Sequence, residues 1–355
     1  MTQIFVLQKD VLHGVNRMQI FHAKYIRVID KQHKLLYNLQ MKHIDLFAGK
    51  GTVVWIYRVF RVAKQSYPLS AHRKGKIHMN IGVCVVLDEM ETLAEKLDTM
   101  RDQGFDTCQL VCWKPELWTK ENAETVRQLF EQKQLNISAF WCGWDGPAVW
   151  NFYDGHETLG LLPVKYREMR VKNLCDGADF AKSLGVMDVI THMGFIPENP
   201  HDPQFVPFCD AVRRVALHLK ENGQYLLFES GQETPVVMLR CFETVGTDNL
   251  GINLDTANLI LYGKGNPVDA LDVFGKYVRN LHAKDGNFPT NGHDLGEEKK
   301  IGEGSVDFRR LFEKLHALHY DSYITIECEL EGDERIAGVL QAKQYLRRII
   351  DEVYA

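Results

Sequence analysis

Glu229, Asp255, His282 and Glu327 each close a short apolar run, and the four runs recur at the interval of a repeating strand–helix unit. They are Gln224–Phe228, Leu250–Leu254, Val278–Leu281 and Tyr323–Ile326. Runs of this length suit strands buried on both faces. Helical patterns such as Pro235–Val245 and Asp307–His319 lie between them, so successive strands are expected to be parallel and adjacent in one sheet. Four polar side chains at the C-terminal ends of such strands converge on one point. A point ringed by three carboxylates and an imidazole is costly unless a positive charge sits in it, and one divalent cation is the simplest answer. Oxygen-rich ligation with a single nitrogen suits Mn²⁺, Mg²⁺ or Co²⁺, and the absence of a thiolate argues against a structural zinc site. Any one of these residues alone is as well explained by an ordinary solvated strand end; four in register are not.

The elements that would position them begin at Met79, from which the chain divides into eight units. The expected strands are Asn80–Val86, Thr107–Trp113, Asn136–Trp144, Val186–Met193, Gln224–Glu229, Leu250–Asp255, Val278–Ala283 and Tyr323–Cys328. A helix follows each. The first is expected to be capped by Asp88 and to stop near Gly104, the third to run from Val164 to Leu184, and the last from Asp333 to Tyr354. Gly223 and Gly246 are expected to end two others. Eight units over residues 79–355 match a (β/α)₈ TIM barrel, whose usual length is about 250 residues. An open doubly wound sheet fits less well, because no phosphate-cradling glycine pattern follows Val86.

Charge is divided unevenly. Residues 1–78 hold 14 Lys and Arg against three Asp and no Glu, a balance of +11, while the remainder carries −16. This basic segment has no strand–helix alternation, and its longest apolar stretch, Val53–Tyr57, is too short to cross a membrane. Nor does it resemble a secretory signal. A nucleic-acid-binding arm fits its charge, but a poorly ordered extension, or a start placed upstream of a natural one at Met79, is the favoured expectation. The eight cysteines show no paired framework, so a reduced, cytoplasmic setting is expected. Cys108 and Cys112 are expected to be core residues rather than metal ligands.

Residues 79–355 resemble the xylose isomerase-like barrels, the sugar phosphate isomerase/epimerase superfamily. The matching stretches are Phe228-Glu229-Ser230-Gly231-Gln232-Glu233-Thr234-Pro235, Asn253-Leu254-Asp255-Thr256-Ala257-Asn258, His282-Ala283-Lys284-Asp285, Ile301-Gly302-Glu303-Gly304-Ser305-Val306-Asp307-Phe308 and Thr325-Ile326-Glu327. The resemblance implies a metal held by Glu229, Asp255, His282 and Glu327, with Mn²⁺ the expected ion and Mg²⁺, Co²⁺ or Zn²⁺ as alternatives. It also implies that Glu229 and Glu327 form the acid–base pair, that the substrate is a small sugar or keto-sugar, and that the chain assembles as a homodimer or homotetramer. The chemistry follows from such a site: a carbonyl oxygen and adjacent hydroxyl on the metal acidify the neighbouring C–H, and carboxylates remove and return the proton.

Further residues are weighed by position. His192, ending the fourth strand, is expected to touch substrate. Asn258, Lys284, Trp113, Trp144 and Glu233 are further candidates for substrate contact, weighed against a solvent-facing strand end for Lys284, packing for the tryptophans and helix capping for Glu233. Trp150 is weighed in the same way. The stretches Gly143–Pro163 and Asp285–Gly304 are expected to overhang the mouth as lids. Asn258 and Phe288 stand where ketose 3-epimerases carry His and Arg, which counts against a plain free-ketose 3-epimerase. The expected activity is a metal-dependent isomerase or epimerase. A lyase or dehydratase acting on a keto-sugar or 3-keto glycoside is the alternative, followed by a catalytically silent sugar-binding barrel. The acidic barrel and its few strand-end histidines oppose a repair endonuclease, so no nucleic-acid partner is expected. The absence of a phosphate-gripping motif favours an unphosphorylated substrate.

Overall fold

In the computed structural model of the chain, residues 79–328 and 332–355 are described, together with the backbone of four strands within residues 1–78. Those four, Val6–Leu7, Tyr25–Asp30, Leu35–Gly49 and Thr52–Phe60, pair antiparallel in a sheet of their own, in a unit spanning Met1–Gly75. The expectation for residues 1–78, a poorly ordered extension or a misplaced start, otherwise falls outside the described residues.

The second unit, Lys76–Ala355, is the barrel. Its strands are β1 Asn80–Val86, β2 Thr107–Cys112, β3 Asn136–Cys142, β4 Asp188–Thr191, β5 Tyr225–Glu229, β6 Leu250–Asp255, β7 Val278–Ala283 and β8 Tyr323–Ile326. Each pairs parallel with its neighbours in chain order, and β8 pairs with β1 to close the ring. The apolar runs become strands because both faces are covered: one packs inside the barrel, the other against helices. Eight long helices supply that cover: α1 Met90–Asp102, α2 Lys120–Lys133, α3 Val164–Ser183, α4 Phe205–Glu221, α5 Pro235–Val245, α6 Pro267–Phe274, α7 Phe308–Ala317 and α8 Gly332–Val353. The α5 boundaries follow from two local devices. Thr234 accepts a hydrogen bond from the Val237 amide at one end, and Gly246 turns left-handed at φ 69° at the other.

Two expectations are corrected. Asp88 does not cap α1; Glu89 occupies the cap position without a side-chain bond, and Asp88 instead pairs with Lys96. Four strands also end earlier than expected, at Cys112, Cys142, Thr191 and Ile326. At the mouth the backbone leaves the ladder, so Trp113, Trp144, His192 and Glu327 lie just beyond strands.

Polar side chains also cross the barrel interior. At its lower end Asp188 on β4 accepts from Arg279 Nε at 2.9 Å and Asn280 Nδ2 at 2.8 Å, both on β7, three strands away. Above this, Gln109 on β2 reaches β6 and β7. At the mouth, the buried Asp285 joins two of the motifs. Its carboxylate accepts amide hydrogens from Gly302 at 2.9 Å, Gly304 at 3.0 Å and Val306 at 3.1 Å, and so ties down the loop after β7. Gly304 fits there because a Cβ would lie 2.3 Å from Asp285 Oδ1. Bonds to a buried carboxylate are charge-assisted, and orphaning three amides is costly. Asp285→Ala is therefore expected to destabilise the fold by about 3 kcal/mol, read by denaturant unfolding. An unchanged midpoint would show that the loop holds without it.

Candidate metal centre and active site

Glu229 ends β5, Asp255 ends β6, and His282 lies one residue before the end of β7, while Glu327 follows β8 with its amide still donating to Ala283 O at 3.1 Å. Two hydroxyls stitch these strand ends. Ser230 Oγ accepts from the Asp255 amide at 3.0 Å and Thr256 Oγ1 from the Lys284 amide at 3.1 Å. The parallel register does the rest: Asp255 faces His282, and ligand atoms from all four residues come within 4.8 Å of one another. His282 Nδ1 is the hub, 2.9 Å from Glu229 Oε1, 3.2 Å from Glu327 Oε2 and 3.8 Å from Asp255 Oδ2.

The imidazole is oriented from behind. Gln109 Nε2 donates to Asn253 Oδ1 at 3.2 Å, so Gln109 Oε1 is left to accept from His282 Nε2 at 2.5 Å. A proton on Nε2 leaves Nδ1 as a lone pair in the neutral ring. Asp255 is prepared likewise. Its Oδ1 accepts from the amides of Ala257 and Asn258 at 2.8 and 2.7 Å, while buried Oδ2 has no hydrogen-bond partner among the described residues. Three carboxylates facing one lone pair in a dry site are unstable as they stand. Burial, then the charges of Glu327 and Glu229, push Asp255 well above the carboxylate range despite the opposing pull of Lys284. Burial opposes ionisation of Glu327 too, but Lys284 and His282 hold it well below that range. Burial would lower His282, yet Glu229 and Glu327 drive it well above the ordinary imidazole value. With no ion, a proton on Nδ1 is the charge these carboxylates gather around. A divalent cation bound by the same three oxygens and one nitrogen would replace it.

A cavity of about 350 Å³ opens directly above. Of the expected site residues, Glu229, Glu327, His192, Asn258, Lys284 and Trp113 line it, and so does Trp150. Lys284 points inward rather than to solvent: it is 2 % exposed, and its Nζ lies 3.5 Å from Glu327 Oε2. His192 Nδ1 bonds Gln232 Oε1 at 3.1 Å, and burial lowers its pKa. Its neutral ring therefore donates to Gln232 and turns Nε2, an acceptor, toward Glu229 3.7 Å away. Two candidates stand outside the pocket wall. Trp144 packs behind Trp113, with centroids 5.0 Å apart, under the guanidinium of Arg170. Buried Glu233 has no hydrogen-bond partner for either oxygen among the described residues, and Thr234 rather than Glu233 caps the helix. Phe288, 54 % exposed, is also absent from the wall.

Sequence reasoning missed Trp141, whose indole N–H donates to Glu229 Oε2 and whose ring lies 4.8 Å from Trp113. It also missed Gln109 and Gln232. The one signal for Gln109 was an amide inside the otherwise apolar Cys108–Val111 run. Both expected lids contribute. Trp150 and Leu295 line the cavity, and Tyr153 bonds His293 from loop to loop. Buried Arg170 supports the first lid by donating to the carbonyls of Gly160 and Pro147 at 2.7 and 2.8 Å.

An eight-stranded parallel barrel with a four-residue metal-type cluster at its C-terminal mouth defines the class. The xylose isomerase-like TIM barrel family description matches residues 97–349, and the chain belongs to that family. A xylose isomerase domain protein from Planctomyces limnophilus is similar in structure, with 29% identity and a TM-score of 0.73, covering 78% of this chain and 99% of that one. In sequence, an uncharacterized protein from Methanocaldococcus jannaschii is 24% identical over 308 residues, 82% of this chain and 96% of its own. An inosose dehydratase from Lacticaseibacillus casei is 23% identical over 308 residues, 76% of this chain and 96% of its own. No helix among the described residues is long and apolar enough to cross a membrane.

Two outcomes follow. Gln109→Met should keep the fold but weaken Mn²⁺ binding by roughly tenfold or more by calorimetry, because partners that orient a ligating imidazole contribute about that much; unchanged affinity would remove Gln109 from the site. Burial raises Glu233 to about 8, so the unfolded chain ionises it from about pH 4.3 while the folded protein keeps it protonated. Wild type should then lose stability relative to Glu233→Gln as pH rises from about 4.5 to about 8. Parallel stability–pH curves for the two proteins would contradict that.

Proposed function

We propose that this chain is a divalent-metal-dependent sugar isomerase or epimerase that works by proton abstraction beside a carbonyl, with Glu229 and Glu327 as its acid–base pair. The observation that carries this reading is that both glutamates touch the same imidazole nitrogen and both line the cavity. When bound by Glu229, Asp255, His282 and Glu327, the cation, Mn²⁺ in this reading, would supply Lewis acidity toward the substrate's carbonyl and neighbouring hydroxyl. One glutamate removes the proton from the adjacent carbon and the other returns one. Return to the same carbon inverts it; return to its neighbour moves the carbonyl. Lys284 places a fixed ammonium beside Glu327, near the oxygens on which negative charge grows. His192 Nε2 and Asn258 accept and donate to ring hydroxyls. Trp113, Trp141 and Trp150 offer flat apolar walls to the C–H face of a sugar. The lids keep water from the carbanion. The substrate in this reading is a small unphosphorylated sugar or keto-sugar, met in the cytoplasm by a dimer or tetramer.

A second reading is a dehydratase, in which the same abstraction expels a group β to the carbonyl. It is favoured by the inosose dehydratase relative and by the absence of Phe288 from the wall.

Solvent deuterium incorporation into a panel of ketoses, aldoses and 3-keto sugars, followed by NMR with Mn²⁺ and with EDTA, tests both. Exchange that EDTA abolishes, and that Glu327→Gln reduces at least about a hundredfold, is expected, and the labelled carbon separates epimerisation, isomerisation and elimination. Exchange surviving in Glu327→Gln would remove that residue from the mechanism.

A further inference from the structure

The active-site cavity is not the only one at the mouth. A second, of about 730 Å³, lies between the segments after β3, β4, β5 and β6, walled among others by His156, Tyr166, Phe195, Glu198, Gln232 and Lys264. Gln232 belongs to both walls. It is 1 % exposed, its Oε1 is engaged by His192, and its buried Nε2 has no hydrogen-bond partner among the described residues. A buried amide donor left unmade at the junction of two cavities is costly unless a ligand atom completes it.

The chemistry of the second cavity narrows the ligand. Lys165 and Lys264 face Glu157, Glu198 and Asp202 around the same space, so no concentration of one sign exists to grip a phosphate or carboxylate. The charged and amide groups offer hydrogen bonds of both polarities. An exposed imidazole, His156, lies flat on buried Phe195, with centroids 4.0 Å apart and planes 24° from parallel. Mixed donors and acceptors beside a flat ring suit a neutral polyhydroxylated ring.

We propose that the second cavity is a subsite for a second sugar-like ring, so that the substrate is a glycoside whose reacting ring occupies the 350 Å³ pocket and whose attached ring occupies the 730 Å³ one, with Gln232 Nε2 donating at the oxygen that joins them. This rests on the sugar-site reading above and goes beyond it in defining the substrate as two rings rather than one.

Calorimetric titration of the Mn²⁺-loaded protein with methyl glycosides of common hexoses, and with neutral disaccharides built from the same hexoses, tests it. At least one disaccharide should bind about tenfold or more tightly than its methyl monosaccharide. Glu198→Trp and Lys165→Trp, two exposed positions chosen to fill the second cavity, should each abolish that preference. Equal affinity for one ring and two would overturn the subsite and leave the sugar reading standing, as would a preference that survives both substitutions. Binding of neither class would overturn the sugar reading, and the subsite with it.

Discussion

Three carboxylates brought into a water-poor mouth around one imidazole nitrogen is the constraint on which the site depends. Like charges a few ångströms apart in a medium of low polarity raise one another's proton affinity, and the three acids respond differently. Asp255, fully buried, takes the increase against the pull of Lys284, while Glu327, 3.5 Å from that ammonium, stays ionised. Nothing about the barrel requires this arrangement. A positive charge among the acids, a proton on His282 or a bound cation, offsets the cost, and TIM-barrel enzymes place their chemistry at this C-terminal mouth.

The rest of the structure serves to hold those groups at fixed angles. The Asn253–Gln109–His282 relay crosses the barrel and selects which imidazole nitrogen faces the cluster. Amides of the turn after β6 fix one oxygen of Asp255 and free the other. The indole of Trp141 does the same for Glu229, and Asp285 and Arg170 fasten the two loops that border the cavity. The contacts of Gln109 and Trp141 join groups 88 to 173 residues apart, which is why a substitution well outside the cluster would be felt within it.

What the sequence made legible follows from periodicity. Apolar runs at a regular interval give strand count, parallel pairing and barrel closure, and the polar residue ending each run gives Glu229, Asp255, His282 and Glu327. The sequence could not show where the ladder stops, because departure from a strand depends on tertiary crowding at the mouth; Trp144 was assigned to a strand for that reason and packs behind the wall. Gln109 was illegible as an orienting group because its partners, Asn253 and His282, sit 144 and 173 residues away. Lys284 was open between inside and outside, since one residue of register reverses a strand's faces, and only the assembled barrel turns it inward. Glu233 looked like a helix cap by position, whereas Thr234 took that role and left the carboxyl buried.

Diffraction data collected on either side of the manganese absorption edge from crystals grown with Mn²⁺ would test the central claim most directly. The account requires an anomalous peak at bonding distance from Glu229, Asp255, His282 Nδ1 and Glu327, with Gln109 still on His282 Nε2. A peak elsewhere, or full occupancy of the crystal by ordered protein with no peak in the cluster, would contradict it.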